Sequence, residues 1–337
     1  MPYSPDQQAL LEHYVKKILA APVYDIALRT PLQPAPALSE TLGNRVLLKR
    51  EDLQPTFSFK IRGAYNKLVQ LSDEQKARGV ITASAGNHAQ GVALAARELG
   101  IAATIVMPST TPELKVLGVR SRGADALLHG ESFPFALARA LQLAEQTGCT
   151  FVSPFDDPDV IAGQGTVAIE ILRQHQGTLD AIFIPVGGGG LIAGIAAYVK
   201  YLRPEVRIIG VESEHSACLQ AALRADERVV LPSVGTFADG VAVAQIGAYG
   251  FEVCRFCVDE VITVSNDELC AAIKNIYDDT RSITEPSGAL AVAGIKQYVV
   301  RSGVRDQTFV AIDSGANINF DSLRHVAERA AACSVPA

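Results

Sequence analysis

The chain has 337 residues, 48% hydrophobic and 20% charged, with 30 Lys and Arg against 36 Asp and Glu for a formal charge of −6. That length favours two domains or one large α/β unit, and the apolar content supplies a packed core with little room for disorder. No Lys/Arg block offers a footprint for a phosphate backbone, and no apolar run approaches the ~20 residues of a membrane span, so neither nucleic acid nor membrane is an expected partner.

The N-terminal stretch MPYSPDQQALLEHYVKK lacks the basic-then-apolar layout of a secretory signal, and six cysteines in this length do not make a disulfide scaffold. A cytoplasmic chain with reduced thiols is expected. The charged run KRED (Lys49 to Asp52) precedes Ser58-Phe59-Lys60-Ile61-Arg62-Gly63-Ala64, and GAYNKLVQL reads as a helix beginning at Gly63. Ser72 and Gln75 form a capping-box pattern ahead of QKARG. From about residue 78, short apolar runs alternate with helical stretches. VITAS, IAATIVMP and ADALLH are strand-like; HAQGVALAARELG, TPELKVLGVRSRG and FALARALQLAEQTG are helical, and Gly79, Gly100 and Gly123 stop successive helices.

After TFVSPFDDP the theme resumes. GQGTVAIEILRQHQ is a helix, DAIFIPV a strand, LIAGIAAYVKYLRP a helix and VRIIGVE a strand. Cys254 and Cys257 in FEVCRFCV share one helical face and, without a second pair, read as buried thiols rather than a metal or redox site. DEVITV, DELCAAIKNIYDD, SGALAVAGIKQYVVRSG and TFVAID complete the series. Continuous apolar strands between helices define an α/β architecture of open, mostly parallel sheets covered on both faces. The Asp/Pro-rich stretch at Pro154 to Pro158 is the best break between two such units, and small ligands favour the cleft between domains.

Three features carry chemistry. Lys60, flanked by Phe59 and Ile61, can sit in an apolar pocket that disfavours the ammonium and leaves a nucleophilic, basic amine. The loop SAGNHAQG (Ser84 to Gly91) joins a strand end to a helix start, where small residues expose N–H donors to a carboxylate and Asn87 adds a neutral hydrogen-bonding side chain. Gly187 to Gly190 lie between a strand and a helix, where a phosphate binds. An amine able to form Schiff bases and a phosphate cradle are what pyridoxal phosphate requires of a protein. A dinucleotide fold competes for the glycines: Gly188 to Ala193 fit G-x-G-x-x-A, and Glu212 ends the next strand where a ribose-binding acid would sit. That reading leaves the lysine and the asparagine loop unexplained.

Taken in order, SFKIRGA, SAGNHAQG, PVGGGGL, EPSGA and DSGAN resemble the motifs of the fold-type II (β-family, tryptophan synthase β-like) pyridoxal phosphate enzymes, and within them the biosynthetic threonine dehydratases. The similarity runs from about residue 22 to 329. It implies a large cofactor-binding domain of residues 1–53 and 157–330, a small domain of residues 54–156 and a tail at 331–337. It makes Lys60 the Schiff-base lysine, Phe59 the residue packed on the cofactor ring, and Asn87 the partner of the ring hydroxyl oxygen. Gly187, Gly188, Gly189, Gly190 and Leu191 become the phosphate loop, and Ser314 faces the pyridine nitrogen. Ser84, Ala85, Gly86, Asn87 and His88 grip the substrate carboxylate; Glu285 belongs to a matched motif without a firm role. The implied reaction is β-elimination on L-threonine, with L-serine slower, in a homo-dimer or tetramer. A serine dehydratase, another β-eliminating or β-replacing enzyme, and a cofactor-loaded amino-acid sensor remain alternatives.

Two departures from the resemblance matter. Serine racemases of the same fold carry a second serine where this chain has Ala85, so racemisation should be poor. They also bind a divalent cation near a glutamate matching Glu212, whereas Ser216 and Cys218 here make a poor shell for a hard ion, and no metal is expected. The chain ends at Ala337, near where the catalytic domain of that family closes. A regulatory domain is therefore expected to be absent, and isoleucine to inhibit little.

Overall fold

A computed structural model describes residues 3–332. The first half of the chain runs α1 (Pro5–Ala20), β1 (Leu32–Pro34), α2 (Pro36–Leu42), β2 (Arg45–Arg50), α3 (Lys60–Val69), α4 (Asp73–Arg78) and β3 (Val80–Ala83). It continues through α5 (Asn87–Glu98), β4 (Ala103–Met107), α6 (Glu113–Arg120), β5 (Asp125–Leu128), α7 (Phe133–Thr147) and β6 (Thr150–Phe151). The second half comprises α8 (Pro158–Gln174), β7 (Ala181–Pro185), α9 (Gly190–Leu202), β8 (Arg207–Ser213), α10 (Cys218–Ala225) and α11 (Ala248–Cys257). Then follow β9 (Glu260–Val264), α12 (Asn266–Thr280), α13 (Pro286–Ser302), β10 (Thr308–Asp313) and α14 (Leu323–Ala332). Beyond Ala332 the expected tail lies outside the described residues.

The strands form two sheets, ordered β1-β2-β10-β7-β8-β9 and β5-β4-β3-β6. Every pairing is parallel except β1 with β2. Strand alternation sorts the larger sheet's side chains into two cores. Ile182, Ile184, Ile208, Val310 and Ile312 pack on one face, and Phe183, Ile209, Val211, Phe309 and Ala311 on the other. Both faces are covered, so period-2 alternation leaves no polar face and the strands read as unbroken apolar runs. Among the described residues no helix is long and apolar enough to cross a membrane.

Local signals account for the helix starts. Ser72 and Gln75 form the capping box of α4, and Ser4 with Gln7 and Ser265 with Glu268 form the same box on α1 and α12. Asp157 caps α8 through the N–H groups of Asp159 and Val160, so α8 begins at Pro158 rather than at Gly163 as its apolar period suggests. The helix expected from Gly63 begins at Lys60, which puts the lysine in its first turn.

The charged run Lys49 to Asp52 is buried, not a solvated face. Lys49 Nζ lies 2.6 Å from Glu170, while Arg62 reaches Glu51 at 2.8 Å and Glu170 at 2.7 Å. Two cations therefore meet two carboxylates inside the protein. Arg50 similarly holds Asp52 at 2.7 Å and lies 3.6 Å from Asp313. Burial, with the Asp52 charge, pushes the Asp313 carboxyl well above the usual range, and Arg50 opposes that rise.

Three helices meet where glycines permit it. A Cβ on Gly163 of α8 would fall 2.6 Å from the Cα of Gly63 on α3, and one on Gly194 of α9 would fall 2.7 Å from the Gly165 nitrogen of α8. α3, which begins with Lys60, is thereby seated on α8, and α8 on the helix that follows the glycine run.

Candidate active site

Three turns at the carboxyl ends of strands build the site: β3 leads into Ser84, β7 into Gly187 and β10 into Ser314. Ligands of parallel sheets collect at this end, because the loops there feed helix N-termini. Gly189 has φ +89° and caps α9, so the chain turns sharply into the helix. A Cβ on Gly188 would fall onto the Phe155 ring, and one on Gly190 would come 2.9 Å from the Phe155 carbonyl oxygen. Among the described residues, the N–H groups of Gly187 to Ile192 donate to no protein acceptor. Those are the unfilled donors of a helix start, gathered beside a loop whose side chains are absent.

The asparagine loop has the same construction. Gly86 N–H donates to Ser84 Oγ at 3.3 Å, while the N–H groups of Ala85, Asn87, His88 and Ala89 find no protein partner among the described residues. The His88 side chain turns inward, its Nε2 3.1 Å from the Val152 carbonyl. Burial, reinforced by Lys60, holds its pKa down at about 3, so the ring is neutral and Nε2 donates. His88 thus offers the loop its backbone N–H rather than a charge.

Lys60 Nζ donates to the Pro154 carbonyl at 2.7 Å and stands 5.3 Å from the centre of the Phe59 ring. Burial lowers its pKa to about 8, with Glu285 acting in the opposite direction. Its place in the first turn of α3 also disfavours the ammonium, because helix N-termini carry partial positive charge. Pro154 and Phe155 link the amine to the glycine run, one through its carbonyl and the other through its ring. Phe59 donates its N–H to the Ser314 carbonyl at 3.2 Å, and Ser314 Oγ donates to the Ser287 carbonyl at 3.4 Å. Lys60 is therefore joined to the glycine run through Pro154 and Phe155, and its neighbour Phe59 to Ser314 directly.

Sequence reasoning left Glu285 without a role and missed Asn317. Asn87 Nδ2 donates to Glu285 Oε1 at 2.7 Å, and Asn317 N–H donates to Glu285 Oε2 at 3.0 Å. Asn317 Nδ2 donates to Asn87 Oδ1 at 2.7 Å. Burial raises Glu285 to about 7, Asp239 adds to the rise, and the bonds from Asn87 and Asn317 oppose it. Both residues sit in the quoted motifs EPSGA and DSGAN, so their positions were legible although their pairing was not.

Glu212 answers the dinucleotide reading. Its oxygens accept the N–H groups of Leu219 and Gln220 at 2.8 Å each, inside the protein at the start of α10. Burial lifts its pKa to about 7. A carboxylate so engaged does not reach a ribose. Among the described residues, no group of three or more His, Cys, Asp or Glu side chains is placed to hold a metal ion.

The residues present fit a phosphorylated aldehyde cofactor. Unused N–H donors stand at α9 where any side chain would collide with Phe155, a half-buried lysine with a lowered pKa lies alongside, and among the described residues the buried Ser287 hydroxyl has no partner. Comparison with known proteins agrees: residues 23–315 match the model of the pyridoxal-phosphate dependent enzymes, and the chain belongs to that family. Its cofactor is therefore pyridoxal phosphate and its architecture that of the fold-type II enzymes.

Particular relatives narrow the likeness. The chain is 58% identical over 320 residues to the L-threonine dehydratase biosynthetic IlvA of Burkholderia multivorans, covering 94% of this chain and 63% of that protein. It is 53% identical over 316 residues to the protein of that name from Escherichia coli, covering 94% and 61%. It thus spans less than two thirds of the length of these relatives. The processed form of threonine deaminase isoform 2 from Solanum lycopersicum superposes with a TM-score of 0.95 at 49% identity, covering 98% of this chain and 90% of that one. Maize serine racemase follows with a TM-score of 0.86 at 32% identity, covering 94% and 96%.

Proposed function

We propose that this chain converts L-threonine to 2-oxobutanoate and ammonia, with L-serine to pyruvate as a slower reaction, as the first step of isoleucine biosynthesis. The observation that carries the reading is the Lys60 amine, held by one carbonyl at a pKa of about 8 beside two helix N-termini with unused donors. The identity to threonine dehydratases supports it.

The residues that would hold the cofactor are Lys60 at its aldehyde carbon, Gly187 to Leu191 at its phosphate, Asn87 at its ring oxygen and Ser314 at its pyridine nitrogen. When bound, pyridoxal phosphate supplies an electron sink conjugated with the substrate's Cα. The start of α5 offers the N–H groups of Ala85, Asn87 and His88 to the substrate carboxylate, which fixes the Cα in place. Once the substrate's own amine takes its place at the aldehyde carbon, Lys60 Nζ would be released as an amine able to take the proton from Cα. Ser314 brings a hydroxyl to the pyridine nitrogen. A hydroxyl does not hold a ring proton as a carboxylate would, which favours prompt loss of the β-hydroxyl over a long-lived carbanion.

Residues 1–53 with 157–330 form the large domain and 54–156 the small one, in a cytoplasmic homo-oligomer. The deciding experiment is 2-oxo acid release from L-threonine and L-serine in parallel, with Lys60→Ala as control. Threonine turnover above serine turnover, lost in the variant, is the expected result. No oxo acid from either substrate would refute it.

A further inference from the structure

Asn87 is held at both ends of its amide, and a backbone carbonyl beyond Asn317 fixes which end is which. A backbone carbonyl only accepts, so the Asn317 atom 2.9 Å from the Thr56 carbonyl is the amide nitrogen. That nitrogen also lies 2.7 Å from Asn87, which must meet it with Oδ1. The opposite edge of Asn87 is therefore Nδ2, which lies 2.7 Å from Glu285 Oε1. Asn317 N–H occupies the other oxygen of the same carboxylate at 3.0 Å, closing a ring of three residues. An amide side chain alone has two orientations of nearly equal shape, and here the hydrogen-bond network selects one.

We propose that Asn317 is a positioning residue: with Glu285 it locks the Asn87 amide with its Nδ2 edge free to donate, so that Asn87 offers a donor to the ring oxygen of bound pyridoxal phosphate. This rests on the reading that Asn87 meets that oxygen. Nδ2 carries two hydrogens and Glu285 takes one, leaving a single donor for a ligand. Were the amide reversed, Asn87 would present an acceptor to an oxygen that carries negative charge when deprotonated.

A purely structural part for Asn317 is already filled by neighbours. Ala316 N–H donates to the Phe57 carbonyl at 2.9 Å, and Ser58 pairs with Gly315. The turn after β10 is thereby tied to the segment before Lys60 without the Asn317 side chain.

The test is the affinity of the cofactor-free chain for pyridoxal phosphate, titrated by absorbance, alongside its melting temperature. Asn317→Ala should weaken binding by about tenfold, as loss of one well-placed hydrogen bond to a charged group does. Its cofactor-free melting temperature should stay within about 2 °C of the parent. Asn317→Asp keeps the size but sets an acceptor against Asn87 Oδ1 and the Thr56 carbonyl, and should weaken binding further and move the absorption maximum of the bound cofactor. In an Asn87→Ala background, Asn317→Ala should cost no more than about twofold. Binding within about twofold of the parent in both single variants overturns the proposal, as does a full tenfold loss in the Asn87→Ala background. Failure of both Asn317 variants to fold would make the residue structural and overturn it as well. A parent chain that takes up no pyridoxal phosphate would instead defeat the functional reading, which separates the two failures.

Discussion

Arg62 grips both oxygens of Glu51 from two residues beyond Lys60, with Nε and Nη2 each at 2.8 Å and neither side chain exposed. The pair anchors the first turn of α3 to the segment after β2. Removing one member of a buried pair leaves an uncompensated charge, so Arg62→Ala should lower stability by about 3–5 kcal/mol. Arg62→Lys should recover only part of that loss, because an ammonium cannot span both oxygens and reach Glu170 as the guanidinium does. Urea unfolding of the cofactor-free chain measures both; a loss below about 1 kcal/mol for Arg62→Ala would contradict the assignment.

The rate at which the cofactor-free chain takes up pyridoxal phosphate should rise with pH through a midpoint of about 8, where Lys60 becomes the free amine. Glu285 raises the Lys60 pKa, so Glu285→Gln should shift that midpoint downward. Stopped-flow absorbance across the pH range tests both statements, and an unmoved or raised midpoint in the variant counts against the coupling.

Stability carries the same two groups with opposite signs. Unfolded Lys60 keeps its proton up to 10.5 while the folded chain releases it near 8, so unfolding takes up a proton in that window and stability rises with pH there. Glu285 keeps its proton to about 7 when folded but loses it near 4.5 when unfolded, so its contribution falls as pH climbs between those values. Glu285→Gln should flatten the acidic slope and carry the alkaline one to lower pH, as read from denaturant midpoints at each pH.

Gly190→Ala should damage cofactor binding more than folding. The added methyl would come 2.9 Å from the Phe155 carbonyl oxygen, and moving Phe155 disturbs Pro154, whose carbonyl accepts from the Lys60 amine. Overpacking of this size costs about 1–3 kcal/mol. Cofactor affinity should fall by more than the stability loss alone explains, and equal losses in both would show a merely steric effect.

Ala85 predicts reaction outcome. It follows Ser84 and supplies no hydroxyl at the mouth of α5, so D-serine formation from L-serine should be far slower than pyruvate formation. Chiral chromatography beside the oxo acid assay measures the ratio, and comparable rates would remove the argument. Ala85→Ser should raise D-serine formation relative to the parent.

Much of this molecule is written locally. The strands from Val80 onward and their helices follow from apolar runs, glycine stops and capping boxes, and the lysine, glycine run and asparagine loop each sit at a junction that the motifs mark. Partners far away in sequence are what escape such reading. Nothing around Lys49 to Asp52 marks them as buried, because Glu170, which balances Lys49, lies 121 positions on. Asn317 meets Asn87 across 230 positions, and no periodicity encodes that. The antiparallel β1 and the early start of α3 were also silent, since three residues are too few for a pattern and Lys60 is indistinguishable from loop until α8 fixes it.

The glycine crossings of α3, α8 and α9 have a mechanical consequence. Gly91 of α5 adds a further one, its would-be Cβ 3.2 Å from the Lys60 carbonyl. The amine, the asparagine loop and the glycine run are thus mounted on four rods clamped side by side, so the gauge of the site is set by the clamps and not by the loops that carry the chemistry. A methyl group inserted at Gly63, Gly163 or Gly194 would act as a shim, changing the reach between base and phosphate cradle from positions that never meet a substrate.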